Sequence, residues 1–336
     1  MTVSKEEADR AGLIDMITGC WKTQAIGEGA ALGLFDRLGN GAQSPAALAQ
    51  ATGANEDGVL RLLRALAVLG LVRQTGAERF ELTEQGALLR RDAADSLNGM
   101  AGHWAGRLWD SFAAIGESVR TGEACVPSGP EHFAEQQAVP AEADVFNRAM
   151  AEGSLRVGRA LAQAYDFSAF RSVMDVGGGY GALLVGPLAA TPGLRGRVFD
   201  MPVLASHALA YLAEQGFGGR VDYSGGSFFE TVPEGDDCLL LKFILHDWND
   251  AHCRTILTNI RAALGDGTLL IIERIVPEIV SAGDVDVIRG DLVMMSVGGK
   301  ERTEAQYRTL LGECGLRLSR IVDIDGNFSA IEARAA

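Results

Sequence analysis

The run Leu239-Leu240-Leu241-Lys242-Phe243-Ile244-Leu245-His246-Asp247-Trp248-Asn249-Asp250 puts a lysine and a histidine at the end of an apolar strand. That is the edge at which open α/β sheets hold their chemistry. An imidazole with an ordinary pKa of about 6.5 is suited to taking a proton, for instance from a phenol, at neutral pH. Two carboxylates are placed to assist it: Glu273, near the end of the following strand, and Glu301, within Gly298-Gly299-Lys300-Glu301-Arg302-Thr303. A carboxylate beside a neutral imidazole orients the ring and stabilises the imidazolium that forms. A purely structural hydrogen bond from His246 is the alternative that stays open at this point.

A second constellation begins at Val173-Met174-Asp175-Val176, a strand that runs into Gly177-Gly178-Gly179-Tyr180-Gly181 and then a helix over 182–190. Glycines there let the backbone turn sharply and let a ligand approach closely, with helix N–H groups aimed at it. Such loops also serve dinucleotides, so the loop alone does not select a cofactor. Asp200 ends the next strand, where a carboxylate can accept hydrogen bonds from both hydroxyls of a ribose. NAD and S-adenosylmethionine share that ribose, and the end of the chain separates them. LRLSRIVDI and FSAIEARA flank Asp325-Gly326-Asn327, a tight-hairpin turn, so the last strand is expected to run antiparallel to its neighbour. A dinucleotide fold usually continues parallel, whereas a reversed last strand suits a methyltransferase.

These groups need a scaffold, and the chain is long enough to provide one. It has 336 residues, 47% apolar and 22% charged, which is enough apolar material for a core and excludes wholesale disorder. From residue 171 short apolar strands alternate with helical stretches, the pattern of a parallel, doubly wound α/β sheet. Residues 1–43 read as helices whose apolar positions recur at steps of three and four (Ile14, Ile17, Trp21, Ala25), with little polar face, and are read as a dimer contact. Ser44-Pro45 opens a helix and Asn55 a second; the strands LVRQ and RFEL follow, and Thr83-Glu84 opens another helix. That order is a winged-helix module, yet 44–90 holds Arg61, Arg64, Arg73, Arg79 and Arg90 against Glu56, Asp57, Glu78, Glu81 and Glu84. A DNA reader needs a cationic surplus, so the module is read as structural. Residues 91–165 are helical and rich in aromatics, with PSGPEHF (127–133) as a loop. The expected divisions are 1–95, 96–165 and 166–336.

Thirty basic against 44 acidic side chains give a net charge of −14, which repels phosphate backbones. No apolar window reaches the ~18 residues of a membrane span, and the N-terminus lacks the apolar stretch of a signal peptide. Cys20, Cys125, Cys238, Cys253 and Cys314 are scattered and never form CxxC, as expected for reduced thiols in a cytoplasmic protein. The five histidines form no ligand pair, so no metal is expected.

VMDVGGGYG, VFDMP, YSGGSFFE, LLLKFILHDWND, IIERIVP and GGKERT, in that order, resemble the plant-type (caffeic acid and isoflavone) O-methyltransferases. That family has bacterial relatives in secondary metabolism and a further relative in acetylserotonin methyltransferase. The likeness spans most of the chain and is specific at family level, but says little about the acceptor. It implies a class I methyltransferase fold (Rossmann-like, last strand reversed), an N-terminal winged-helix dimerisation domain, a homodimer, and S-adenosylmethionine as donor with S-adenosylhomocysteine as product. By position it implies His246 as general base and Glu273 and Glu301 as its flanking carboxylates. It implies Gly177, Gly179, Asp200, Met201 and Lys242 as cofactor contacts. In YSGGSFFE, Ser227 stands where the family usually has Asp; its hydroxyl or a backbone carbonyl is expected to meet the adenine amine, with Phe228 packing on the ring. Phe146, Asn147, Met150 and Met294 fall where relatives line the acceptor pocket. Two other readings remain: a same-fold enzyme performing N- or C-methylation or a cofactor-assisted hydroxylation or decarboxylation, and a winged-helix regulator with a ligand-sensing domain.

Overall fold

Capping chemistry sets the starts of the N-terminal helices in the computed structural model, which describes residues 4–336, leaving the side chains at 132–134, 136, 140 and 141 outside the description. α1 (Lys5–Thr18) begins at a capping box in which the Ser4 hydroxyl accepts the Glu7 N–H and the Glu7 carboxylate accepts the Ser4 N–H. α2 (Cys20–Ala31) and α3 (Leu34–Gly39) follow. Ser44 caps α4 (Pro45–Thr52), with Pro45 in the first turn, and Asn55 caps α5 (Glu56–Val68). β1 (Val72–Gly76) and β2 (Arg79–Leu82) pair antiparallel, Val72 opposite Leu82, and Thr83 caps α6 (Glu84–Ala87). The helix–helix–wing order read from the sequence is therefore present. Leu34, Phe35, Leu63, Leu66 and Phe80 are the centre of its core. α7 (Asn98–Ala105) lies in the same compact unit, which ends at Asp110.

The second unit starts at Ser111, within α8 (Arg107–Thr121). α9 (Pro130–Gln137) and α10 (Pro140–Ala164) follow. α9 corrects the expected loop at 127–133. The Pro and Gly of PSGP read as punctuation, but Pro130 sits in the first helical turn, where its missing N–H has no helical partner to lose.

Seven strands form one sheet in the order β5-β4-β3-β6-β7-β9-β8. β3 (Ser172–Val176), β4 (Arg195–Asp200), β5 (Val221–Gly225), β6 (Cys238–Lys242) and β7 (Thr268–Glu273) are parallel. β9 (Ser329–Ala335) is antiparallel to both neighbours and lies between β7 and β8 (Leu316–Asp323). The Asp325 carboxylate accepts the N–H groups of Asn327 and Phe328, which closes the β8–β9 turn read from Asp-Gly-Asn. One face of the sheet packs on α13 (Asp250–Leu264) and α15 (Glu304–Glu313) through Ile256, Leu257, Ile260 and Leu311. The other packs on α10, α11 (Val185–Ala190) and α12 (Ala205–Glu214) through Leu161, Leu188 and Leu212. α14 (Val285–Val297) connects β7 to the loop before α15. The helix expected over 182–190 starts as a 3-10 turn, Ala182–Leu184, because Pro187 has no N–H to bond back into it. β3 and β6 are neighbours from which the sheet grows in opposite directions, so the crevice at their carboxyl ends is the place for a ligand.

Candidate active site

β6 is buried along its length and its pairing with β7 reaches one residue past Lys242, where the Phe243 N–H donates to Ile272 O at 3.2 Å. The chain then leaves the sheet abruptly. Phe243 has φ +54°, the one positive φ at a non-glycine among the described residues. A 3-10 turn, Leu245–Asp247, carries His246 just beyond the strand end rather than on it.

His246 is 6% exposed. Its Nδ1 lies 3.1 Å from Glu301 Oε1 and 3.7 Å from Glu273 Oε2, and its N–H donates to Glu273 Oε1 at 3.3 Å. Glu273 is the last residue of β7, so the sheet itself delivers it. Glu301 is held by its own N–H, which donates to Asp291 Oδ1 at 2.9 Å. The three side chains anticipated as a set are thus together. Asp247 joins them, its Oδ1 3.5 Å from His246 Nε2. One nitrogen of His246 and one carboxylate oxygen each of Glu273 and Glu301 fall within 4.8 Å of one another, close enough for the two carboxylates to act on the imidazole charge.

Burial pulls the His246 pKa down, but Glu273, Asp247 and Glu301 more than offset it and bring it up to about 9. This corrects the ordinary value assumed from sequence: one imidazole faces three carboxylates, an excess that only the folded structure displays. Burial pushes Glu273 up to about 7, opposed by His246, and Asp247 up to about 6, again opposed by His246.

The loop bearing Glu301 is fitted tightly to the histidine turn. The Lys300 N–H donates to His246 O at 2.8 Å. A Cβ at Gly299 would overlap His246 O and lie 2.7 Å from the Asp247 carbonyl carbon, so only glycine permits this approach. Arg302, 1% exposed, donates to Leu245 O at 2.7 Å and to Trp248 O and Asp250 Oδ1 at 2.8 Å. It clamps both ends of the turn that presents His246. Phe243, Asp247, Gly299 and Arg302 were not singled out from sequence, although all four lie inside the quoted motifs.

The cofactor candidates gather at the carboxyl ends of β3 to β6. The Asp200 carboxylate accepts the Gly179 N–H at 2.7 Å and the Met201 N–H at 2.6 Å. Burial raises its pKa and those two donors oppose the rise. A Cβ at Gly177 would overlap the Ile244 side chain at 2.4 Å and meet Phe228 at 3.4 Å, whereas at Gly179 nothing lies within 4 Å, leaving open backbone. Ser227 Oγ accepts the Phe229 N–H at 3.2 Å, so its hydroxyl already serves the local turn. Phe228 and Phe229 pack with Trp248 in one aromatic group. Burial brings Lys242 down to about 8, against the pull of Glu273 and Asp175. Open glycine backbone, a carboxylate on the adjoining strand and a flat ring beside the loop fit a purine riboside.

Of the acceptor candidates, Phe146, Asn147 and Met150 lie on α10 and Met294 on α14. The Asn147 amide pairs with Gln137 through two hydrogen bonds of 2.9 and 3.1 Å and also bonds Tyr180 in the glycine loop. Met294 O accepts the Gly299 N–H at 2.9 Å, which ties α14 to the Glu301 loop.

A family model described as an O-methyltransferase domain matches residues 114–317, and one described as an O-methyltransferase dimerisation domain matches 14–92. The chain is 37% identical to the mitomycin biosynthesis 6-O-methyltransferase of Streptomyces lavendulae, over 96% of this chain and 93% of that one. It is 35% identical to the phenazine O-methyltransferase PhzM of Lysobacter antibioticus, over 98% and 99% of the two chains. Among solved structures, it is similar to human N-acetylserotonin methyltransferase in complex with S-adenosylmethionine, at 27% identity and a TM-score of 0.88 over the whole of both chains.

Proposed function

This chain belongs to the O-methyltransferase family and is an S-adenosylmethionine-dependent O-methyltransferase; we propose that His246 is its general base and that its acceptor is a hydroxyl on a small aromatic metabolite. The observation that carries the assignment of the base is the buried imidazole with carboxylate oxygens on Nδ1. Glu301 holds Nδ1 as the donor, which leaves Nε2 to accept the proton of the attacking hydroxyl. Glu273 and Glu301 then stabilise the imidazolium.

The donor, when bound, supplies a methyl carbon already activated by a sulfonium, so no Lewis acid is required. Gly177 and Gly179 offer backbone, Asp200 and Met201 the ribose end, Ser227 and Phe228 the base end, and Lys242 the floor between β3 and β7. What remains for the protein is alignment of the acceptor oxygen, chiefly positioning, with proton removal contributing about 10²–10⁴-fold. We assign Phe146, Asn147, Met150 and Met294 to the acceptor side. The chain carries the family's dimerisation domain, and we infer a homodimer from it. The scattered spacing of the five cysteines favours a reducing compartment.

The retained histidine and glutamate set supports O-methylation over a drifted same-fold reaction. His246→Ala is expected to lower turnover by roughly two decades or more while donor affinity, read by calorimetry, changes little. The assay is methyl transfer from labelled donor to a panel of phenols, read by product mass. Near-wild-type turnover of the variant would remove His246 from the role of base.

A further inference from the structure

We propose that Phe243 is a positioning residue for the reaction, its ring held against His246 by a left-handed backbone kink and setting the plane and charge state of the imidazole. This rests on the reading of His246 as the base. Three independent features converge on the residue. The first is the backbone: a bulky side chain at φ +54° is a genuine outlier, of the kind that persists only where the surroundings over-determine it. Glycine would take that φ without strain, so what phenylalanine adds is the ring. The second is the stack: the Phe243 and His246 rings lie 4.3 Å apart at 21°. The third is the set of further groups packed on the ring. Phe328, from the β8–β9 turn, packs on Phe243 at 5.0 Å. Arg274 lies 4.8 Å from both rings, and its Nη1 is 3.9 Å from Glu301 Oε1. The kink, the reversed strand β9 and the residue after β7 therefore act together on one ring.

A flat π face against an imidazole favours the imidazolium, as in any cation–π contact. The groups that face His246 are Glu273 from β7, Asp247 from its own turn and Glu301 from the loop before α15. Lys242 Nζ lies 4.4 Å from the Phe243 ring centroid, and Tyr307 of α15 interacts with Glu273 and Glu301 behind them. Phe243 thus shares its ring among Lys242, Arg274 and His246, which keeps its effect on His246 moderate. Removing the ring withdraws one stabiliser of the charged form, so the imidazole pKa falls. A side chain that only filled space would act through burial alone, and since burial lowers this pKa, its removal would leave the value unchanged or raise it.

The test uses full-length enzyme labelled with 13C-histidine. The His246 resonance is identified by its loss in His246→Asn and titrated in wild type, Phe243→Leu, Phe243→Gly and Phe243→Trp. The expected result is a fall of about half a pH unit or more in the leucine and glycine variants and recovery in tryptophan. On the alkaline plateau, where the imidazole is neutral in every variant, turnover on the best phenol of the panel is expected to fall roughly 10- to 100-fold in the first two and return in tryptophan, with the donor KM unchanged within about twofold. Phe243→Gly relieves the backbone strain, so a melting curve no worse than that of Phe243→Leu separates loss of the ring from loss of the fold. A His246 titration that is unmoved or raised in both the leucine and glycine variants would overturn the proposal. Because the titration needs no turnover, a His246→Asn enzyme that remained active would defeat the reading of the base separately, without deciding the ring's effect.

Discussion

His246 gathers more negative charge than a single proton acceptor needs, and that surplus determines how the enzyme should respond to pH. With Glu273, Asp247 and Glu301 around it, the imidazole is brought up to about 9 and is charged at neutrality. A base must be neutral to act. The sign follows: kcat/KM, which reports the free enzyme, is expected to rise with pH, about tenfold per unit, and to level near pH 9. A bound sulfonium donor would add a cation to the site, and a neighbouring cation would disfavour the positive charge of His246. The acid limb of kcat is therefore expected at lower pH than the limb of kcat/KM, and coincident limbs would show that the donor charge is not felt at His246. Glu301→Gln isolates the partner on Nδ1. It keeps an oxygen able to accept the Nδ1 proton but removes one charge, so both limbs should move to lower pH while the plateau of kcat drops about tenfold or more through weaker stabilisation of the imidazolium. A pH series on the variant with either limb unmoved would mean that Glu301 orients the ring without affecting its charge.

Elements bring these residues together, and the Glu301 loop shows how closely. The Lys300 N–H on His246 O and the absence of a Cβ at Gly299 allow the loop to lie directly against the histidine turn. Gly299→Ala must push the two backbones apart by part of an ångström. A core overpacking of this kind typically costs about 1–3 kcal/mol, and a misplacement of that size at a base costs up to roughly 100-fold in rate. The expected outcome is a kcat loss of at least tenfold with donor affinity, measured by calorimetry, preserved, because the glycine loop after β3 is untouched. Equal loss of donor binding would mean that the two halves of the site move as one. The same contrast explains what could be read before the fold was known. Strands β3 to β9 were legible because each is a short apolar run bounded by turn residues, and Asp325-Gly326-Asn327 announced the reversal at β9. His246 and Glu273 stood out because polar groups close apolar runs, and Glu301 because it lies in the motif GGKERT. Arg302 did not, since nothing local marks an arginine that will bond Leu245 O and Trp248 O from more than fifty residues away. Phe243 read as one more apolar strand residue, because its φ is a property of the fold. α9 was hidden by Pro and Gly that start a helix as readily as they break one. The placement of β9 between β7 and β8 rests on pairing across the sheet, to which no local pattern refers.

At the scale of the whole molecule the chain leaves one helix without apolar burial of its own, tied to the next by the Lys22–Asp15 ion pair. α1 is fourteen residues long and buries none of them, with Leu13, Ile14, Met16 and Ile17 exposed by 58, 52, 79 and 71%. A lone helix of about 12–15 residues is marginal in water even with good caps, and an exposed apolar stripe on it calls for a partner. Residues 14–92 match a family model described as an O-methyltransferase dimerisation domain, and we infer from it that the partner is a second copy of the chain. The acidic balance of −14 argues in the same direction, since general surface stickiness is suppressed and association must come from a defined apolar patch. Ile14 and Ile17 are one turn apart on this stripe, and neither belongs to the core around Phe35 and Leu63. The double change Ile14→Asp, Ile17→Asp should therefore leave the fold and its melting temperature nearly unaltered while placing like charges in the interface. Sedimentation velocity at micromolar concentration is expected to show a dimer for the wild type and a 35.5 kDa monomer for the variant. A wild-type chain that sediments as a monomer would sink the homodimer, whereas a variant that remains dimeric would move the contact away from α1.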